Sequence, residues 1–176
     1  MMRDYLGEPQ ATLTVCVEHQ PRWPEPAFAS GRSTLFPGEL AILVGANSNH
    51  WRKIFNVYAK LLCALKPDAA TDWRALRDQQ LFQPGQQHGL RMGSIVAENI
   101  NENTGLTLIA GKQYADALGL LSQATSLAPG IFVHDHANCL ITPYFDYRAL
   151  SDASIARLAQ IMTERWSDQT ALVLAT

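Results

Sequence analysis

The stretch that most constrains the fold runs from Glu39 to Lys66, ELAILVGANSNHWRKIFNVYAKLLCALK. It opens on a short apolar run, Leu40 to Val44, bounded by Gly38 and Gly45, which has the length of a buried strand. A polar turn follows, Gly45-Ala46-Asn47-Ser48-Asn49, and then the chain becomes periodic at helical spacing. Trp51, Ile54, Phe55, Tyr58, Leu62 and Leu65 share one helix face, while Arg52, Lys53, Asn56 and Lys60 take the other. Strand, tight polar turn and amphipathic helix is the order in which open α/β folds place ligands, at the carboxyl end of a strand beside a helix N-terminus. A site on this chain is therefore expected to include Asn47.

A chain of 176 residues is expected to form one domain with a full-sized core. Apolar residues at 47% and charged residues at 17% exclude an intrinsically disordered chain. The net charge of −2 and pI of 6.2 exclude a generally basic nucleic-acid binder but leave room for a local basic patch. Cys16, Cys63 and Cys139 are widely spaced with no CxxC pair, which reads as reduced core thiols. The N-terminus MMRDYLGEPQ has no apolar signal region, and no stretch approaches the ~18 apolar residues of a membrane span. The expectation is a soluble cytoplasmic protein with no membrane partner.

Residues 1–11 read as a loose N-terminus, and Thr12 to Val17 (TLTVCV) as a β-branched, alternating strand. Residues 18–38 hold several prolines and no period, an irregular loop that Trp23, Phe28 and Phe36 should pin to the core. After Pro67, Asp68 or Thr71 caps a weaker helix with Trp73, Leu76 and Gln80 on one face, and 83–89 form a polar loop. The spacing of Met92, Ile95, Val96, Asn99 and Ile100 predicts a helix over 92–103, with Gly105 as its C-terminal cap. Leu106 to Ala110 is a second buried strand, followed by Gly111-Lys112 and a short helix, Gln113 to Leu118. Gly130 to His134 and Cys139 to Thr142 are further strands around a polar turn. Ser151 caps the last helix, whose buried stripe is Ile155, Leu158, Ala159, Met162 and Trp166, and 171–176 offer a terminal strand. The alternation predicts an α/β fold, a three-layer α/β/α sandwich with a mainly parallel central sheet.

Four groups of residues bear chemistry. Asn47, Ser48, Asn49 and His50 follow the first apolar run, where an amide can position water or pair with a carbonyl and an amide; the same residues also serve as helix caps. Lys112 at a helix N-terminus can meet a phosphate or remain solvated. His134 and His136, at i and i+2, can share a strand face, but no third ligand follows at a recognisable spacing, so no metal is assigned. In TPYFDYR (Thr142 to Arg148), Tyr144, Phe145 and Tyr147 can stack on a base and Arg148 can reach a phosphate, or the aromatics can pack on the core.

The order of these pieces resembles the uracil-DNA glycosylase superfamily, most closely the mismatch-specific uracil/thymine glycosylases. That family has a strand ending in GxNP and then a helix, a later strand ending in GKQ, and a last strand ending in a PNPS- or HPS-type loop. Gly45-Ala46-Asn47 is similar to the first motif, and LTLIAGKQYADALG (Leu106 to Gly119) to the second. Gly130 to Pro143 and Ser151 to Leu158 sit where the last strands and helix belong. Ser48 stands where the family has proline, and Tyr144-Phe145-Asp146 replaces the last triplet. The resemblance implies a DNA or nucleotide partner, no cofactor and, in an active protein, N-glycosidic hydrolysis of a base taken out of the stack. By the same resemblance Asn47 is the catalytic residue that orients water or the base. Ser48, Asn49 and Lys112 contact substrate, and Tyr144, Phe145 and Arg148 belong to the loop that enters DNA. The rival reading is a non-catalytic binding or scaffold protein that keeps the fold. Both readings expect Asn47, Lys112 and the 143–148 loop at one edge of one sheet.

Overall fold

A computed structural model describes residues 3–66, 71–93, 100 and 105–174. Its strands are β1 (Tyr5–Gly7), β2 (Leu13–Val17), β3 (His88–Met92), β4 (Leu106–Ala110), β5 (Ala124–Ala128), β6 (Ile131–His134) and β7 (Cys139–Thr142). The helices are α1 (Glu39–Gly45), α2 (Asn49–Leu65), α3 (Trp73–Gln79), α4 (Lys112–Ala117), α5 (Asp152–Arg165) and α6 (Ser167–Leu174). The strands form one mixed sheet of order β1-β3-β2-β4-β7-β6-β5. Its four central strands, β3, β2, β4 and β7, are mutually parallel. β1 joins β3 antiparallel, and β6 and β5 extend the other side antiparallel.

Alternation along the central strands builds two cores. Val15, Leu108 and Leu140 lie side by side and face one core, which α2 fills with Ile54, Phe55, Tyr58 and Leu61. Complete burial of Ile54, Phe55 and Leu61 contributes about 1.5–3 kcal/mol each. The next residue along each strand, Cys16, Ile109 and Ile141, faces a second core that Tyr114 and Ala115 of α4 close. Both faces of β2, β4 and β7 are thus covered, and every residue of these three strands is buried.

Several elements differ from the sequence expectation. Residues 40–44 are helix α1, because the run buries one side only: Leu40 and Leu43 are inside, while Ile42 is 48% exposed. The sheet is mixed where a mainly parallel one was expected, since β1, β5 and β6 were not all foreseen and each pairs antiparallel. Residues 5–7 are a paired strand instead of part of a loose terminus. His88 to Met92 is strand β3, held between β1 and β2, although the segment carries no β-branched residue. Met92 therefore ends a strand. The rest of the helix expected over 92–103 lies outside the described residues, apart from Ile100, which is helical and buried. Asp72 caps α3, its carboxylate accepting the Arg74 amide at 3.0 Å, where Asp68 or Thr71 had been expected; Asp68 lies outside the described residues. Residues 167–174 form α6, burying Thr170 and Val173, so the expected terminal strand over 171–176 is helical as far as 174. Phe36 is 51% exposed and does not pin the 18–38 loop; Phe28 is buried and Trp23 packs against the same core.

Candidate functional site

The parallel strands present their carboxyl ends on one edge. There β2 runs into Glu18-His19-Gln20-Pro21, β4 into Gly111-Lys112 and β7 into the 143–148 loop. Gly111 joins two of these turns. Its amide donates to the Thr142 carbonyl at 2.9 Å, and its φ of +111° is a conformation that side-chain-bearing residues rarely adopt. A Cβ at 111 would lie 3.4 Å from Tyr144 Cδ2, an ordinary van der Waals contact, so the positive φ and not the Tyr144 ring calls for glycine here.

Tyr144 reaches from that turn to the start of α2. Its hydroxyl lies 2.7 Å from His50 Nε2, and the two rings stack with centroids 5.3 Å apart. His19, from the turn after β2, meets the other side of His50 edge-on at 6.0 Å. Burial, and then the neighbouring His19, push the His50 pKa below its ordinary value. A neutral His50 accepts the hydroxyl's hydrogen bond in the tautomer protonated on Nδ1 and donates to the same oxygen in the tautomer protonated on Nε2. Burial, followed by the carboxylates Glu18 and Asp146, pushes the Tyr144 hydroxyl up to about 12, which keeps it a donor. Sequence reasoning singled out Tyr144 but gave no role to His19 or Gln20. The available signal was the polar break after the β-branched run ending at Val17.

Asn47 is spoken for. Its Nδ2 donates to the Arg22 carbonyl and to the Leu43 carbonyl, both at 2.8 Å, and its Oδ1 accepts the Arg22 amide at 2.7 Å. Both amide protons and one lone pair thus clasp the loop after β2 onto the end of α1. It follows a helix, so it reaches this edge through the α1–α2 turn and not from a strand end as the sequence implied. The amide–proline pair that does follow the first parallel strand is Gln20-Pro21.

Other expected residues separate into exposed and buried ones. Ser48 precedes α2 in an extended conformation without a side-chain cap bond, and Asn49 opens the helix, exposed. Lys112 is exposed, its ammonium 5.7 Å from the Phe132 ring. Phe145 is fully buried edge-on against Tyr58, which makes it a core residue and removes it from any stacking surface. The aromatic that stands out is Tyr147, 53% exposed, with Lys53 4.9 Å and Arg148 5.8 Å from its ring centre. Asp146 accepts the Arg148 amide at 2.9 Å, which lowers its pKa, and pairs with Lys53 at 3.3 Å. Among the residues placed here, the cations Arg22, Lys53, Lys112 and Arg148 outnumber the carboxylates Glu18 and Asp146, a local basic bias in an acidic protein.

His134 and His136 lie at the opposite edge, beside the start of β7. His134 Nδ1 accepts the His136 amide at 3.2 Å, and Asp135 accepts the Thr125 hydroxyl at 2.8 Å. Among the described residues no group of three or more His, Cys, Asp or Glu side chains could hold a metal ion. Among them, too, no helix is long and apolar enough to cross a membrane.

Residues 4–163 match the model of a family of unknown function, DUF6942, and the chain belongs to that family. No curated protein and no solved structure matches it.

Proposed function

We propose that this DUF6942 member is a uracil-DNA-glycosylase-like protein that handles a nucleobase or nucleotide at the carboxyl edge of its parallel strands. The observation that carries the reading is the meeting of Tyr144 and His50 there, stacked and hydrogen-bonded, with the turns after β2 and β4 alongside. Parallel strands with covered faces put ligands at this edge, and the three-layer α/β/α arrangement implied by the resemblance has its site in the same place. A hydrogen-bonded, half-buried ring pair beside an exposed tyrosine with cations offers stacking, donors and phosphate contacts together. Ser48 and Asn49 at the α2 N-terminus, Lys112 and Arg148 serve as contacts to the bound group in this reading. The reaction class is N-glycosidic hydrolysis of an unstacked base.

A second reading, a binding protein without catalysis, is favoured by one specific observation. The Asn47 amide, the group the resemblance makes catalytic, is spent on Arg22 and Leu43. Uracil release from single-stranded and G:U duplex DNA separates the two when wild type is compared with Gln20→Ala, Asn47→Ala and His50→Ala. Release lost in Gln20→Ala or His50→Ala supports hydrolysis. Binding of the same DNA with no release in wild type leaves the binding protein. If neither release nor binding occurs, both readings fail.

A further inference from the structure

Away from the His50–Tyr144 contact, the segment entering β1 and the loop after β2 line a cavity of about 320 Å³. Arg3, Asp4, Tyr5, Trp23, Glu25 and Phe28 are among its lining. The size is within the range that takes small organic ligands, ~300–1,000 Å³. Its walls are aromatic: the Trp23 and Phe28 rings meet at 5.6 Å, and the Arg3 guanidinium lies 5.1 Å from the first and 5.4 Å from the second.

The donors in this cavity exceed the acceptors that answer them. Arg3 donates to the Phe28 carbonyl at 2.8 Å, and no carboxylate lies within ion-pair distance of it among the described residues. The nearby Arg32 already holds Glu39 with two 2.8 Å bonds from one nitrogen. Asp4 leans to Arg91 at 3.7 Å, and Glu25 is an exposed rim residue. Burial, and then the like charge of Arg32, lower the Arg3 pKa, and the Glu39 carboxylate, held by Arg32, partly offsets them. The Trp23 indole N–H is buried and has no hydrogen-bond partner among the described residues. Buried donors are nearly always answered, and an orphan in a native fold calls for an explanation.

We propose that this cavity binds a small oxyanion, a carboxylate or phosphate group on a molecule that also carries a flat ring. The oxyanion accepts from the free N–H groups of Arg3, whose fork matches such groups bidentately. The ring lies against the faces of Trp23 and Phe28. The assignment is independent of the nucleobase reading, because it rests on different side chains.

The test is titration of the full chain, by calorimetry and tryptophan fluorescence, with benzoate, a nucleoside monophosphate and inorganic phosphate. At least one ring-bearing oxyanion should bind, about tenfold or more tighter than inorganic phosphate; which one binds identifies the carboxylate or the phosphate source. Arg3→Gln should weaken it by about tenfold or more, as expected for losing a charge-assisted bond. Arg3→Lys, which keeps the charge without the fork, should fall between. Trp23→Ala removes a stacking face and should weaken binding by about tenfold. Thermal melts on each variant report whether the fold is kept. His50→Ala should leave this binding unchanged, which distinguishes it from a ligand held at the other edge site. Failure of every ring-bearing oxyanion to bind at millimolar concentration overturns the proposal. So does binding to a folded Arg3→Gln at wild-type strength, or binding lost in His50→Ala and kept in Arg3→Gln.

Discussion

Two histidines touch opposite parts of the fold and show what its histidines are for. His88 is 2% exposed, packed between Tyr58 and Phe82, and its Nε2 accepts the Phe82 amide at 3.1 Å. His50 stands half-buried at the carboxyl edge of the sheet, stacked on Tyr144 with its second nitrogen uncommitted to any described residue. Burial lowers the pKa of both, but to different ends. His88 is pushed down to about 4 and serves the Phe82 turn, where φ is +60°; His50 remains reachable and is shifted by neighbours that themselves titrate. One is a structural acceptor and the other stands at the edge proposed here as the site. Substitutions can break that distinction in either direction.

The largest effect belongs to His88. His88→Ala removes a core ring and leaves the Phe82 N–H unanswered, so unfolding free energy should fall by about 3 kcal/mol. Urea denaturation measures it, and a loss under about 1 kcal/mol would place the ring outside the structural role given to it here. His50→Ala, by contrast, should cost no more than about 1 kcal/mol while removing ligand binding at the edge.

Acid should sharpen the same contrast. The folded His88 pKa of about 4 lies below the ordinary value of 6.5, so between those values the unfolded chain binds the extra proton. The stabilisation is fully present above 6.5 and is lost as pH falls through the window toward 4, a total of about 3 kcal/mol. In His88→Gln that slope should vanish from a stability–pH profile. If it persists unchanged, other groups carry the acid sensitivity.

Asn47 ranks next. Asn47→Asp keeps an acceptor for the Arg22 amide but loses the two donated bonds to Arg22 and Leu43, which should cost about 1–2 kcal/mol. Proteolysis of the loop after β2 should rise in step. A variant as stable as wild type that has lost uracil release would return Asn47 to a chemical role.

The sequence was most legible where composition and period agree. α2 is visible in Trp51, Ile54, Phe55 and Tyr58, and α5 in the Ser151 cap, whose hydroxyl accepts the Ser154 amide at 3.3 Å. Two apolar runs of equal length then show the limit. Leu106 to Ala110 is β4, paired on both sides, whereas Leu40 to Val44 is α1 with one exposed face. A five-residue run is too short to display a period, and only its partners decide. β3 is harder still. His-Gly-Leu-Arg-Met has no strand composition, and Gly89 is required because a side chain there would collide with the Tyr5 ring of β1. That constraint comes from a segment far away in sequence. The site was half legible for the same reason. The turns after β4 and β7 could be read from their strands, while the Asn47 turn was attached to a strand that does not exist. His19 and Gln20 were passed over because the strand carrying them was read without its neighbours.

The smallest expected effect tests whether the Tyr144–His50 contact is chemical or merely packing. Tyr144→Phe deletes one oxygen and keeps the ring that lies on Gly111 and His50, so stability should change by less than about 1 kcal/mol. In the tautomer that leaves Nε2 unprotonated the hydroxyl donates to it, which favours neutral His50; without it the His50 pKa should move up toward its ordinary value. The groups around this nitrogen, His19 and Glu18 after β2, Lys53 on α2 and Asp146 after β7, are untouched by the substitution. Imidazole proton resonances followed against pH in wild type and Tyr144→Phe read the shift directly. An upward move together with weakened nucleobase binding makes the pair a working part of the edge site. An unmoved His50 with full binding reduces Tyr144 to a spacer between α2 and the end of β7.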